Sequence, residues 1–499
     1  MQTLYRSTRD PKGQTITASQ AVLQGLSPDG GLYVPTSIPE IGLDLNELKD
    51  LSYQELAYRI LQPLFSDYTE EELRACIANA YGTQWDTEEI APVSRHAAND
   101  YLELFHGPTI AFKDVALQLL PHLMTTAAKK NGSDKDIVIL TATSGDTGKA
   151  AMAGFADVDH TQIIVFYPKD GVSAIQERQM LTQTGRNTHV VGITGNFDVA
   201  QTNVKKLFND KELARTIAQA GYQFSSANSI NIGRLFPQVV YYFYAYGRLL
   251  KSGEIKVGDR INFSVPTGNF GDILAGYFAR ELGLPVGTLV CASNANNVLT
   301  DFIRTGRYDK KRPFYLTSSP SMDILVSSNL ERLLFLLSGD EQLVAKLMRQ
   351  LSEDGAYEVP EELKEKIQSI FWAGCCGDDE TKRTIGRVWQ EHHYLCDTHT
   401  AVAWNVAQQY KTANPAHAPV VVLSTASPYK FPAAVLEGLG EKAEGDEFAV
   451  MEQLERLTGV PAPKNLRGLR ERPVRHTTVL DREEMLPFVL EKAQEKKWF

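Results

Sequence analysis

A lysine in apolar company and three loops after predicted strands, two of them glycine-punctuated, carry the chemistry of this sequence. Lys113 lies in the run ELFHGPTIAFKDVALQLL, behind Ile110, Ala111 and Phe112 and ahead of Val115 and Ala116. Residues 102–105 have strand character, HGPT reads as a turn, and a helix is predicted from Phe112 onward. The positive end of a helix and removal from water both lower the pKa of an amine. A lysine so placed is suited to Schiff-base chemistry. The competing reading is an exposed lysine paired with Asp114.

The three loops each follow a predicted strand. In TATSGDTG (141–148), Ser144, Asp146 and Thr147 are good helix N-cap residues ahead of a helix predicted over 149–156. A helix start of this kind favours an anion, but the same residues would serve an ordinary capped turn. In PTGNFG (266–271), Gly268 and Gly271 are read as positions for positive φ and close backbone approach, and the amides of 268–271 as a nest for a phosphate. The loop lacks the Gly-Lys-Ser/Thr ending of a nucleoside-triphosphate site and is not G-x-G-x-x-G. In STASPYKF (424–431), Ser424 and Thr425 place neutral hydroxyls at the carboxyl end of a strand, where open α/β sheets bind ligands.

Short Val- and Ile-rich runs at 137–141, 163–167, 189–193, 261–265, 288–292 and 419–424 alternate with helical stretches at 149–156, 172–182, 198–208 and 272–282. This rhythm predicts an α/β fold of mainly parallel sheets covered by helices. Residues 1–95 read as a separate N-terminal domain, with a capping box at Thr69 and Glu72. Residues 303–395 read as a helical insertion, and Pro121 is expected to kink or shorten the helix after Lys113. VVYYFYAYGRLL (239–250) is too short to span a membrane and is expected to form a buried helix.

The chain has 499 residues, 43% hydrophobic and 22% charged, with a net charge of −10. That composition excludes a disordered or fibrous protein and makes a nucleic-acid partner a poor expectation. Five cysteines without a C-x-x-C pair imply neither a disulfide framework nor a zinc site. No signal peptide or membrane span is expected, and a reducing, cytoplasmic setting fits. No metal is expected.

Six segments, HGPTIAFKDVALQ, SGDTG, PTGNFGDILAG, NANNVLTDFIRTGRY, SPSMDILVSSNLERLL and DTHTAVA, together resemble threonine synthases of the longer type, with LYRST and GLSPDGGLYVP resembling that family's leading domain. The resemblance runs in order from about residue 4 to about residue 435. It implies a fold type II pyridoxal 5′-phosphate (PLP) enzyme converting O-phospho-L-homoserine and water to L-threonine and phosphate. The cofactor cleft would lie between a small α/β domain (136–209) and a large one (96–135 and 210–499), in a monomer or homodimer. By the same resemblance Lys113 carries PLP, and Gly268, Asn269, Phe270, Gly271 and Asp272 hold its phosphate. Thr425 faces the pyridine nitrogen, and Ser144, Gly145, Asp146 and Thr147 grip the substrate carboxylate. STASPYKF departs from the TAHPAKF of some members, with Ser427 and Tyr429 in place of His and Ala. Lys149, Lys169 and Arg234 are candidates to receive the leaving phosphate. Two further readings are a PLP-dependent lyase on hydroxy or phosphorylated amino acids and a catalytically idle PLP-binding homologue.

Overall fold

The protein is described by a computed structural model covering residues 2–143, 145–169, 171–195 and 197–494. Two sheets carry the site. The larger runs, edge to edge, through Phe371–Cys375, Val286–Ser293, Ile261–Pro266, Val420–Ser424, Asn99–Glu103 and Val93–His96. Its first five strands are parallel and only Val93–His96 is antiparallel. The smaller sheet, wholly parallel, runs Val479–Leu480, Thr188–Ile193, Thr161–Pro168, Asp136–Ala142, Tyr222–Ser225. The predicted Val- and Ile-rich runs are buried strands, as double helix cover requires.

Three features differ from the sequence expectation. Residues 303–395 are not purely helical. They supply the edge strand Phe371–Cys375 and a two-stranded ribbon, Arg307–Asp309 against Ala356–Glu358. FWAGC follows the helix Glu361–Gln368 so closely that its five residues read as the end of that helix. Residues 211–225 and 479–494 pack with the smaller sheet rather than the larger one. Tyr222–Ser225 pairs with Asp136–Ile139, and Val479–Leu480 with Gly192–Ile193. Pairings between segments so far apart leave no local pattern.

Other expectations hold. Pro121 stands in the first turn of a new helix, Leu120–Lys130, just after Lys113–Leu117 ends. Pro237–Ser252 is a buried helix, with Tyr241, Tyr242, Tyr244 and Tyr246 enclosed. The capping box at Thr69 and Glu72 opens the helix Glu70–Ala80.

The N-terminal unit, a three-stranded antiparallel sheet with the helices Ala18–Gln24, Tyr53–Leu64 and Glu70–Ala80, is fastened to the body by buried polar bonds. The Tyr81 hydroxyl donates to Val115 O at 2.8 Å, on the helix that begins with Lys113. Glu331 accepts from Thr8 and Arg9. Arg332, fully buried, donates to Tyr33 O at 2.9 Å, to Ile230 O and to Asn329 Oδ1. Burial drives its guanidinium pKa down to about 9, against the opposing effect of Glu331. Arg332→Met is expected to leave three acceptors without a donor and to destabilise the protein by about 2–4 kcal/mol. A lowered urea midpoint together with faster proteolysis of the N-terminal unit checks this; an unchanged midpoint contradicts it.

Candidate active site

Lys113 opens the short helix Lys113–Leu117, as the sequence predicts. Its side chain is 13% exposed, and its amine lies 3.4 Å from Asp146 Oδ2 and 3.4 Å from Ser321 Oγ. Burial lowers its pKa to about 8; Asp146 opposes that shift, and Lys430 and Arg234 add to it. Asp146 is the meeting point of the cleft. It lies 3.0 Å from Lys430 Nζ and accepts from Ser321 Oγ at 2.6 Å and from Gln176 Nε2 at 3.1 Å. Burial alone would raise the Asp146 pKa, but Lys430, Lys113 and the Ser321 hydroxyl outweigh it and hold the carboxyl well below its ordinary range.

The helix bearing Asp146 runs Asp146–Phe155, three residues earlier than expected. Neither Asp146 nor Thr147 caps it with its side chain. Its N-cap is Gly145, at φ 129°, where a Cβ would meet the Gln176 side chain at 2.5 Å. Thr143 instead accepts from the amides of Gly145 and Gly148, both at 3.0 Å. Thr147 lies half-buried in the first turn. Ser144 lies outside the described residues.

In the PTGNFG loop the left-handed residue is Phe270, at φ 66°, not either glycine. Gly268 is needed for close approach, because a Cβ there would sit 2.8 Å from Ser321 O. Gly271 is less constrained, its Cβ position being 3.4 Å from Asn329 Nδ2. Phe270 buries its ring against Phe371 and turns the chain into the helix Gly271–Glu281. Asn269 is exposed. The Asp272 carboxyl points into the core, bonded to Tyr241 and Tyr242, and burial raises its pKa to about 6. Any hold of Asp272 on an anion is through its first-turn amide.

Thr425 is buried, and its carbonyl accepts from the amide of Phe112 at 2.8 Å, next to Lys113. Ser321 links Lys113 to the Gly268 loop. All three loops therefore converge on one lysine. The cations differ in placement. Lys149 is buried, bonded to Gln179 and 3.5 Å from Thr109 O, and desolvation drives its pKa well down. Arg234 is buried, donates to Ala227 O at 2.7 Å, and is pushed down to about 10. Lys169 lies apart, its side chain 41% exposed and paired with Glu177 at 2.9 Å.

Five further residues of the site fall in quoted segments without being marked there for a role: Ser321 and Asn329 in SPSMDILVSSNLERLL, Asp397 and His399 in DTHTAVA, and Lys430 in STASPYKF. Lys430 is 5% exposed and was masked by its turn, PYKF. Ser321 donates its amide to His399 Nε2 at 3.2 Å, while His399 Nδ1 bonds Asp397 Oδ2 at 2.7 Å. Asn329 is fully buried, with a side-chain nitrogen that bonds to no group among the described residues.

These residues suit PLP. Lys113 offers a low-pKa amine to an aldehyde. Among the described residues the amides of Gly268, Asn269 and Phe270 have no acceptor, and with Asn329 Nδ2 they form a donor set for a phosphate. The Thr425 hydroxyl makes no side-chain bond among the described residues and can meet a ring nitrogen.

Comparison with known proteins agrees with this geometry. The family described as "Threonine synthase N terminus" matches residues 4–81, "Pyridoxal-phosphate dependent enzyme" residues 102–426, and "Threonine synthase, C-terminal" residues 400–487. The threonine synthase of Saccharomyces cerevisiae is 36% identical over 87% of this chain and 89% of its own length. The chain belongs to the threonine synthase family of PLP-dependent enzymes. Human threonine synthase-like 1 is 40% identical over 84% of the chain, which spans only 58% of that relative's length. Among solved structures, PLP-bound threonine synthase from Brucella melitensis superposes with a TM-score of 0.87 at 37% identity, covering 99% of both chains. The yeast threonine synthase structure gives 0.86 at 32% identity, again with 99% of both covered. The fold is that of fold type II PLP enzymes, and PLP is the cofactor of this family.

In cofactor-free protein the Lys113 amine is expected to react with an acylating reagent with a midpoint near pH 8. Because Asp146 raises the Lys113 pKa, Asp146→Asn is expected to move that midpoint lower. Site-resolved labelling by mass spectrometry across pH reads both, and a Lys113 midpoint near an ordinary lysine's 10.5 contradicts the assignment.

Proposed function

We propose that the chain converts O-phospho-L-homoserine and water to L-threonine and phosphate, using PLP bound through Lys113. The observation that carries the reading is the convergence of a depressed lysine amine, a carboxylate and a second buried lysine at one cleft, in a chain of the threonine synthase family. When bound, the cofactor supplies an aldehyde for amines and a ring that delocalises negative charge developing at Cα.

The chain's own residues do the rest. The amide-rich loop 268–271 and Asn329 hold the cofactor phosphate, and Thr425 meets the ring nitrogen with a neutral hydroxyl. Asp146 and Thr147, at a helix start, receive the substrate carboxylate through their amides, while Gly145, its own amide held by Thr143, lets the chain approach the ligand closely; Ser144 belongs to the same proposed loop. The Lys113 amine, with a pKa near the working pH, takes and returns protons at the substrate's Cα and Cβ. Lys430, with Lys149 and Arg234 behind it, supplies the positive field for a departing phosphate. Lys169 is too far out on the surface for that role. The Asp146 carboxylate holds Lys430 Nζ at 3.0 Å until an anionic substrate competes for it. None of the described helices is long and apolar enough to cross a membrane, and a cytoplasmic location is part of the proposal.

The test is product analysis of the loaded enzyme with phosphohomoserine. Threonine and phosphate are expected in equal amounts. Lys113→Ala is expected to lose at least about 10³-fold in kcat, and Lys430→Met about 10- to 100-fold in kcat/KM. Ammonia with a keto acid would instead indicate a lyase, and no product would indicate an idle homologue.

A further inference from the structure

A separate, open surface cavity of about 520 Å³ lies where three parts of the molecule meet. One wall is the helix Leu120–Lys130, which contributes His122 and Lys129; the other is the loop after Asp146–Phe155, with Asp157 and Asp159. Gln118 lines the cavity between them, and Gln84 of the N-terminal unit closes it. The volume falls within the roughly 300–1,000 Å³ of small-molecule sites.

The walls carry opposite charge that is not mutually satisfied. Lys129 and Asp159 are exposed, and neither forms an ion pair among the described residues. Asp157 uses only Oδ1, on Arg186. Gln118 is 7% exposed, and its amide nitrogen bonds to no protein group among the described residues. Burial lowers the His122 pKa, so that side chain offers a neutral ring. A cation and carboxylates held apart across an amide-lined cavity suit a ligand that carries both charges itself.

The cavity also lies at the far ends of the two helices that meet at the cleft. Lys113–Leu117 ends at Gln118, and Asp146–Phe155 ends at Ala156, where the Asp157 loop begins. Near these ends the helices are in close contact, since a Cβ on Gly154 would sit 2.0 Å from Leu117 O. At their other ends Lys113 and Asp146 face each other at 3.4 Å. Ten helical residues at 1.5 Å each put the cavity roughly 15 Å from Asp146.

We propose that this cavity is a regulatory site for a free α-amino acid. The ligand's carboxylate meets Lys129 and Gln118, and its ammonium meets Asp157 and Asp159. Bridging the two walls fixes the mutual position of the two helices and so the Lys113–Asp146 pair.

Thermal unfolding of the cofactor-loaded enzyme is followed with each of the twenty common α-amino acids, with acetate as a carboxylate-only probe and methylammonium as an amine-only probe. At least one amino acid is expected to raise the midpoint saturably and to shift the absorption band of the bound cofactor; acetate and methylammonium are not. In a Lys129→Glu, Asp159→Lys double variant, apparent affinity is expected to fall about tenfold or more, with turnover unchanged. Lys129→Ala alone serves as a second variant if the double variant unfolds. If no amino acid raises the midpoint, the cavity holds water only and the proposal fails. It also fails if the shift survives in the variants, because the binding then belongs to the cleft. The readout needs no turnover, so its failure is distinct from failure of the proposed reaction.

Discussion

A carboxylate buried between two ammonium groups organises this protein. Asp146 begins a helix that follows a strand of the smaller sheet, whereas Lys113 and Lys430 belong to segments that follow strands of the larger one. Desolvation makes each of the three charges costly alone. Together they are tolerable only when the two sheets approach closely enough to bring Asp146 within 3.4 Å of Lys113 and 3.0 Å of Lys430. The geometry of the cleft and the protonation of the amine are therefore one constraint. Two cations share one carboxylate, and the amine beside it is left with a pKa of about 8.

The surrounding structure keeps that constraint in register. Ser321 touches Asp146 and Lys113 with its hydroxyl and lies against Gly268 with its carbonyl, while His399 and Asp397 hold its amide from behind. The N-terminal unit reaches the same place by two routes. Tyr81 bonds the Lys113 helix, and Tyr33 O holds Arg332, which fixes Asn329 beside the 268–271 loop. Among the described residues the leading domain thus bears on the cleft through these two bonds.

Much of this was legible in the sequence, because its cause is local. Lys113 is marked by apolar neighbours at a helix start, although only the family resemblance decides against an exposed lysine paired with Asp114; the aromatic helix is marked by its density, and the capping box by its spacing. The PTGNFG loop was legible as a loop but not in its dihedrals. The two glycines suggested positive φ, yet Phe270 adopts it, because its buried ring compensates the strain. What could not be read was whatever depends on distant contacts. Ser321 and Asp146 are separated by 175 residues. Lys430 looks like any lysine until the sheets bring it to Asp146. The edge strand Phe371–Cys375 is defined by its neighbour Val286–Ser293, not by its own five residues.

The central claim is that Lys113 is the reactive amine of the cleft, and direct chemical capture tests it. The PLP-loaded enzyme is reduced with borohydride, digested and mapped by mass spectrometry. A single pyridoxyl group on the peptide containing Lys113, absent in Lys113→Ala, is the expected result. A pyridoxyl group on Lys149 or Lys430 in the unmodified enzyme would contradict the account.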